Sequence, residues 1–360
     1  MPGSDRAAHK IPSMPVKLLN SSGDPKVDRL LSGAIGLYVS AFPGRMRAAY
    51  LFGSYADGSV VPGSDVDLDL FFENPLNEAE LKRFWEIARD ILLLTPVRLD
   101  SRPLGMKHLK NGAPPTLRDG RIIYGVDVVA KSGLEPIVVS RRRDVLAAFM
   151  RIQALRGNPP YVVAPVDYPD RSLPYFGYVQ ARDPLPLQLL VDVITTIARA
   201  SLSAFANKQI GSRQRAVDAY PDLIRDDFGT LVRDVYQLGK LKWLYHEPSE
   251  GAERQRLHEL CEQLPEFENH FLSHCRSLFL TDLAGSNPTA IAQALITVRH
   301  IIYPDETFVG AIKRLAESPD TKYAYLVKEV LQTIETERLR NVEPVNKCAS
   351  VSERARNLAE

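Results

Sequence analysis

Cysteine is scarce in this chain, with three in 360 residues and none in a CxxC pair. Such an odd and widely spaced set does not make a disulfide framework, and no cysteine and histidine group has the spacing of a zinc site. No apolar run reaches the roughly 18 residues that a transmembrane helix needs. The first residues also lack the apolar core of a signal peptide. We therefore expect a cytoplasmic protein without a membrane-spanning segment.

The chain also lacks an excess of charge of either sign, since its formal net charge is +1. This balance argues against a protein that coats a long polyanion through bulk charge, but it leaves nucleotide binding open. Hydrophobic residues make up 45% and charged residues 25% of the chain, which is typical of a globular protein. A length of 360 residues predicts two domains or one large one.

The spacing of apolar residues predicts an α/β unit in the first third of the chain. Helices alternate there with short strands, and acidic residues in the first turn support the second helix. The predicted order is helix Lys26–Phe42, strand Met46–Phe52, strand Asp65–Phe72, helix Asn77–Leu94, strand Pro96–Leu99 and a closing turn with a short apolar element at Leu117–Tyr124.

Helical patterns dominate the second half of the chain. A helix at Ile137–Leu155 precedes a proline- and tyrosine-rich stretch that is too irregular for a long helix. The helices predicted beyond it are Leu187–Ala206, Arg213–Tyr220, Ile224–His246, Ala252–Phe279, Pro288–Ile302, Glu306–Glu317 and Tyr323–Leu339.

These patterns predict an α+β fold, with an N-terminal α/β domain built on a short mixed sheet and a C-terminal all-helical domain. The expected organisation is a flexible lead (residues 1–24), the α/β domain (25–130), a linker helix with the proline- and tyrosine-rich segment (131–186), the helical domain (187–340) and a polar tail (341–360).

The strongest chemical signal is the stretch LFGSYADGSVVPGSDVDLDLFF at residues 51–72. Asp65, Asp67 and Asp69 alternate along the second strand, so they share one face, while the apolar residues between them share the other. Three like charges on one face repel unless a cation lies among them, and aspartate disfavours strands. Divalent metal ions are therefore the simplest explanation, and Asp65 and Asp67 are the predicted ligands.

A Gly-Ser pair, Gly53 and Ser54, follows the first strand directly. Glycine lets a phosphate approach the backbone closely, and the serine hydroxyl can bind a phosphate oxygen. Alone, such a pair is usually only a turn. Beside the acidic strand it indicates phosphoryl or nucleotidyl transfer.

Together, Gly53-Ser54, the spacer and Asp65-x-Asp67 resemble the signature of the nucleotidyltransferase superfamily related to DNA polymerase beta. The spacer is similar to that of small bacterial members and of the aminoglycoside adenylyltransferases. Over residues 26–125, this resemblance implies ATP or another NTP as donor, two Mg²⁺ ions and release of pyrophosphate. It assigns Asp65 and Asp67 to the metal ions and Gly53 and Ser54 to the outer phosphates.

The resemblance also implies a third carboxylate on the strand after the second helix, acting as a metal ligand or as the general base. Asp100, in PVRLDSRPL, is the favoured candidate. Asp69 is an extra carboxylate on the metal face and is the alternative.

Residues 195–228 resemble the helical domain of streptomycin/spectinomycin-type adenylyltransferases, in which two basic residues reach the triphosphate. The matching positions are Arg199 and Arg213. Arg199 lies in an otherwise apolar helix, where an arginine needs a phosphate or an acidic partner. A structural salt bridge is therefore the alternative for Arg199.

The sequence leaves two classes of acceptor open. A small hydroxylated molecule such as an aminoglycoside, modified for antibiotic resistance, is the first, and the near-neutral charge favours it. A protein side chain or an RNA end, as in toxin–antitoxin nucleotidyltransferases, is the second. A nucleotide-binding scaffold without catalysis is a further alternative, and oligomeric state cannot be read from the sequence.

Overall fold

The computed structural model describes residues 15–180, 185–317 and 323–342, with side chains up to residue 337. The chain forms two units that do not follow chain order. The first contains Met1–Arg141 and Leu202–Asp226, and the second contains Arg142–Ser201 and Asp227–Glu360. A segment of the predicted helical domain thus groups with the N-terminal residues. The linear domain boundaries stay a prediction.

The first unit is built on a mixed four-stranded sheet with the order β3-β2-β1-β4. Strand β1 runs antiparallel to both of its neighbours, whereas β2 and β3 run parallel. A helix crosses between those two parallel strands, as parallel pairing requires. The strands are β1 (Met46–Phe52), β2 (Val66–Phe72), β3 (Leu99–Gly105) and β4 (Arg121–Gly125). The α+β fold with a short mixed sheet is confirmed.

The described helices largely follow the predicted pattern. Helix α3 begins with a capping box, in which Asn77 and Glu80 satisfy each other's backbone N–H groups. The helices are α1 (Pro25–Ala41), α2 (Gly53–Asp57), α3 (Glu78–Leu94), α4 (Pro115–Arg118), α5 (Val128–Lys131), α6 (Ile137–Leu155), α7 (Gln188–Ala204), α8 (Arg213–Ile224), α9 (Gly229–Tyr236), α10 (Gly251–Ala284), α11 (Pro288–Val298), α12 (Glu306–Ala316) and α13 (Ala324–Val342).

Two apolar clusters lie on opposite faces of the sheet. Val66, Leu68 and Leu70 of β2 belong to the larger cluster, the main core, together with the inner faces of α1 and α3. Phe71 belongs to the other cluster, with aromatic residues of β1. Because strand residues alternate between faces, Asp67 and Asp69 lie on the same face as Phe71. The alternation predicted for β2 is therefore what separates the carboxylates from the main core.

Three predicted elements differ from the structure. The third strand was predicted over Pro96–Leu99, ending at Asp100, but β3 begins at Leu99 and continues through Pro103 to Gly105. Proline is tolerated in β3 because this strand lies at the edge of the sheet. The predicted helix Ile224–His246 is interrupted because Arg225 adopts a left-handed conformation at the end of α8. The predicted helix Pro288–Ile302 stops at Val298, and its last two residues form a strand.

The described part of the second unit is mainly helical, with a two-stranded parallel ladder of β5 (Val162–Val163) and β6 (Ile301–Ile302). Its interior contains an ion pair in which Arg156 donates to the fully buried carboxylate of Glu268 at 2.6 Å. The Tyr178 hydroxyl donates to the same oxygen at 2.9 Å. This network satisfies a charge that would otherwise be costly to bury.

Both ends of the chain lie partly outside the described residues. Of the predicted flexible lead, the structure describes residues 15–24, where Val16 and Leu18 pack against the main core. Of the predicted polar tail, it describes only residues 341–342, which end α13. Over the described ranges, no helix is both long enough and apolar enough to cross a membrane.

Candidate active site

Three carboxylates lie close together where strands β2 and β3 begin. Asp65 precedes β2, Asp67 lies within it, and Asp100 is the second residue of β3. The parallel register pairs Asp67 with Asp100 across the two strands. One carboxylate oxygen from each residue lies within 4.8 Å of those of the other two. The structure therefore brings together the two aspartates of the motif and the favoured third carboxylate.

Asp69 does not belong to this group, although it shares its face of the strand. Arg102, its partner in the β2–β3 register, donates Nε and Nη2 to the two Asp69 oxygens at 2.7 and 3.0 Å. Asp69 is only 1% exposed. Its carboxylate is thus held by a bidentate arginine, and Asp100 is the third member of the cluster.

The carboxyl group of Asp67 has a shifted pKa. Burial raises its pKa to about 6, and the negative charge of Asp65 acts in the same direction. Arg213 and Arg102 lower the Asp67 pKa, and Asp100 raises it. The raised value shows that the carboxylate form of Asp67 is under-compensated, so a further cation would stabilise it.

The donor set of the cluster fits magnesium. Aspartate oxygens are hard ligands, and Mg²⁺ is usually held by one or two carboxylates together with water and substrate phosphates. Asp65 lies directly before β2 and Asp67 within it, and Asp100 adds a carboxylate from the neighbouring strand β3. These are the residues that would hold a divalent ion.

The Gly-Ser turn lies directly against Asp67. Strand β1 ends at Phe52, which pairs with Asp67 in the antiparallel register, and Gly53 begins α2. Gly53 has φ +63°, and a Cβ atom placed on it would lie 2.4 Å from Asp67 Oδ2. Only glycine fits this position without displacing the carboxylate. Ser54 follows it in the first turn of α2.

The first unit also places Arg213 close enough to influence Asp67, because two carboxylates hold the start of α8. The Asp119 Oδ2 atom accepts the backbone N–H groups of Gly211 and Ser212 at 2.9 and 2.8 Å. The Ser212 hydroxyl donates to Asp57 Oδ2 at 2.9 Å. Arg213, the first residue of α8, lowers the pKa of Asp67. Asp57 and Asp119 carried no local sequence signal for this role.

Arg199 lies in the second unit, on α7. Its Nε atom is 3.7 Å from Asp144 Oδ1, and the Asp144 side chain is 3% exposed. This ion pair matches the structural alternative for Arg199. A contact between Arg199 and a triphosphate stays a prediction.

Arg98 contacts the carboxylate cluster, although no sequence motif predicted it. It donates Nε to Asp100 Oδ1 at 3.2 Å and Nη2 to Asp100 Oδ2 at 3.1 Å. The only sequence signal is the two-residue spacing of Arg98 and Asp100, which puts both side chains on one face of an extended segment.

Comparison with protein families agrees with this geometry. The family model for the nucleotidyltransferase domain matches residues 41–124, a range that includes the four-stranded sheet up to Tyr124 and all three clustered carboxylates. Residues 41–124 of the first unit are therefore similar to a nucleotidyltransferase domain. No curated protein gave a match to the chain. The finer resemblance to aminoglycoside adenylyltransferases stays a prediction.

The raised pKa of Asp67 predicts a pH-dependent stability in the metal-free protein. The pKa is about 6 in the folded chain against 3.8 for an ordinary aspartate. The folded state therefore holds a proton that the unfolded state releases, and this contribution is full below pH 4 and lost as the pH rises through 6. At pH 7.5 the buried charge costs about 3 kcal/mol.

Asp67→Asn removes this cost. Comparing the variant with the unmodified protein separates the contribution of residue 67 from those of the other titrating groups. In EDTA, we expect the variant's gain in unfolding free energy to be about 1–2 kcal/mol larger at pH 7.5 than at pH 5. Urea unfolding of both proteins at the two pH values measures this difference. An equal gain at both pH values would show that Asp67 has an ordinary pKa.

Proposed function

We propose that this protein is a magnesium-dependent nucleotidyltransferase that transfers a nucleoside monophosphate to an acceptor hydroxyl. The proposed donor is ATP, with another NTP as the alternative. The observation that carries the proposal is the clustering of Asp65, Asp67 and Asp100 within the range that matches the nucleotidyltransferase domain. The sparse cysteines favour a reducing compartment such as the cytoplasm.

In the proposed reaction, the acceptor oxygen attacks the α-phosphorus and forms a new P–O bond. The bond between the α-phosphorus and the bridging oxygen breaks, and pyrophosphate leaves with the electron pair. Asp65, Asp67 and Asp100 would hold two Mg²⁺ ions, which when bound supply charge stabilisation and align the phosphates. Asp100 is also the proposed base that takes the acceptor proton.

The remaining candidates bind the phosphates. The turn at Gly53 and Ser54 would hold the outer phosphates against the cluster, since it already lies beside Asp67. Arg213 would neutralise charge on the leaving pyrophosphate, because its charge already acts at Asp67. Arg199 would bind the triphosphate by exchanging its ion pair with Asp144 for a phosphate.

Replacing Arg213 by glutamine is expected to weaken binding of Mg·ATP about tenfold, which corresponds to the loss of one hydrogen bond to a charged group. Titration of a fluorescent ATP analogue measures the affinity. Arg225→Gln, at the opposite end of the same helix, is the matched loss of charge and should leave the affinity unchanged. Equal weakening by both variants would remove Arg213 from the nucleotide site.

The acceptor we propose is a small hydroxylated molecule such as an aminoglycoside. The chain has no excess of positive charge that would favour an RNA acceptor. A protein or RNA acceptor is the alternative outcome of the test.

Mass spectrometry of products after incubation with ATP, Mg²⁺ and a panel of aminoglycosides tests this proposal. An adduct of one AMP, formed with an equal amount of pyrophosphate, establishes donor and acceptor together. Parallel reactions with GTP, CTP and UTP test the nucleobase. Absence of pyrophosphate with every nucleotide, and with aminoglycoside, RNA and protein acceptors alike, would contradict the proposal and leave a binding scaffold.

A further inference from the structure

The Arg98 guanidinium occupies one side of the carboxylate cluster. Both of its hydrogen bonds go to Asp100, one to each carboxylate oxygen, at 3.2 and 3.1 Å. The backbone carbonyl of Arg98 accepts the N–H of Val66 at 2.8 Å. The adjoining Val66–Leu99 pair then puts Arg98 level with Asp65, across the β2–β3 register. Arg98 therefore borders the cluster at the Asp65 and Asp100 corner.

This pair differs from the neighbouring pair of Arg102 and Asp69. Asp69 is buried and lies outside the cluster, so its ion pair is structural. Asp100 belongs to the cluster, and its carboxylate must serve both Arg98 and any bound metal. The Arg98 side chain is 68% exposed, so it has room to leave Asp100 for another partner.

We propose that Arg98 is an internal competitor for metal, which lowers the affinity of the nucleotide-free carboxylate site for a divalent cation. The inference rests on the proposed metal-dependent function. A divalent ion bound to Asp100 would share that carboxylate with the guanidinium, and the repulsion between the two cations is reduced but not removed by the surrounding water. Metal binding therefore either occurs against this repulsion, with lower affinity, or requires that Arg98 first moves away from Asp100.

A bound triphosphate removes this competition. Its oxygens compensate the positive charge and offer the guanidinium a bidentate partner in place of Asp100. Metal binding is then coupled to nucleotide binding, so that the ion enters with the donor and not before it. Arg98 is in this sense a positioning residue that sets the order of loading.

The experiment measures Mn²⁺ affinity by electron paramagnetic resonance, without nucleotide and at low ionic strength. Arg98→Gln should bind Mn²⁺ about tenfold more tightly than the unmodified protein, the effect of about 1.4 kcal/mol of relieved repulsion. Arg47→Gln is the matched control, because Arg47 is an exposed strand arginine paired with Glu73 at 3.0 Å in the same unit. Its affinity should be unchanged.

A second arm adds a non-hydrolysable ATP analogue. The gap between the unmodified protein and Arg98→Gln should then narrow to within about threefold, because the triphosphate compensates Arg98 in the unmodified protein. A tenfold difference in Mn²⁺ affinity that persists with the analogue would contradict the proposed shift of Arg98 from Asp100 to the triphosphate. Circular dichroism checks that each variant is folded.

The outcomes separate this inference from the proposed function. If both proteins bind Mn²⁺ with equal affinity, or Arg98→Gln binds it more weakly, the competitor role is wrong while the metal site stands. If neither binds Mn²⁺ at millimolar concentration, with or without the nucleotide analogue, the metal-dependent function itself is wrong, and the inference falls with it.

Discussion

Replacing Asp67 by asparagine is expected to reduce nucleotidyl transfer at least about 10³-fold. Metal ions in such sites supply several kcal/mol of charge stabilisation, and each 1.36 kcal/mol is a factor of ten in rate. Asp67 belongs to the carboxylate cluster, on the strand that Asp65 directly precedes and opposite Asp100. Removing its charge therefore weakens metal binding by the cluster.

The measurement is the steady-state rate of pyrophosphate release, with the fold checked by circular dichroism. Asp90→Asn is the matched control, because Asp90 is an exposed aspartate of α3 in the same unit. Its activity should equal that of the unmodified protein. An Asp67→Asn variant that is folded and retains a tenth or more of the activity would remove Asp67 from the catalytic machinery.

Gly53→Ala is expected to reduce activity about 10²-fold or more, although it changes no functional group. The added Cβ atom would lie 2.4 Å from Asp67 Oδ2, so the carboxylate or the turn must move. A displacement of about 1 Å at a catalytic site can cost that much. The left-handed conformation of Gly53 adds a stability penalty of about 1–2 kcal/mol for alanine.

Gly58→Ala separates the two effects of this substitution. Gly58 also has a left-handed conformation, φ +82°, but no atom lies within 4 Å of an added Cβ atom. Both variants should lose similar thermal stability, and only Gly53→Ala should lose activity and metal binding. Equal activity losses in the two variants would attribute the effect to the strain in the turn and not to Asp67.

The parts of the site that could be predicted from the sequence are those that depend on local spacing. Alternation along one strand puts Asp65 and Asp67 on one face, and a Gly-Ser pair after a strand predicts a turn. Both features lie within 15 residues of chain, and neither depends on how distant segments pair.

The parts that could not be predicted depend on strand register. The predicted third strand ended at Leu99, so Arg102 was not recognised as the partner of Asp69. The observed strand continues to Gly105 and places Arg102 opposite Asp69. This pairing removes Asp69 from the candidates for the third carboxylate.

The family resemblance pointed to Arg213, but the contacts that place it near Asp67 could not be predicted from local spacing. Asp57 and Asp119 hold the start of α8 through contacts that span 92 or more residues of chain. The break at Arg225 also had no signal, since arginine seldom adopts a left-handed conformation. Such features follow from tertiary contacts that no local pattern encodes.

The central claim is that the carboxylates at positions 65 and 67 hold divalent metal beside a bound triphosphate. Calorimetric titration of Mg²⁺ into protein saturated with a non-hydrolysable ATP analogue tests it most directly. The unmodified protein should show saturable binding that is lost when both aspartates are replaced by asparagine. Retention of the same Mg²⁺ affinity by that folded double variant would contradict the account.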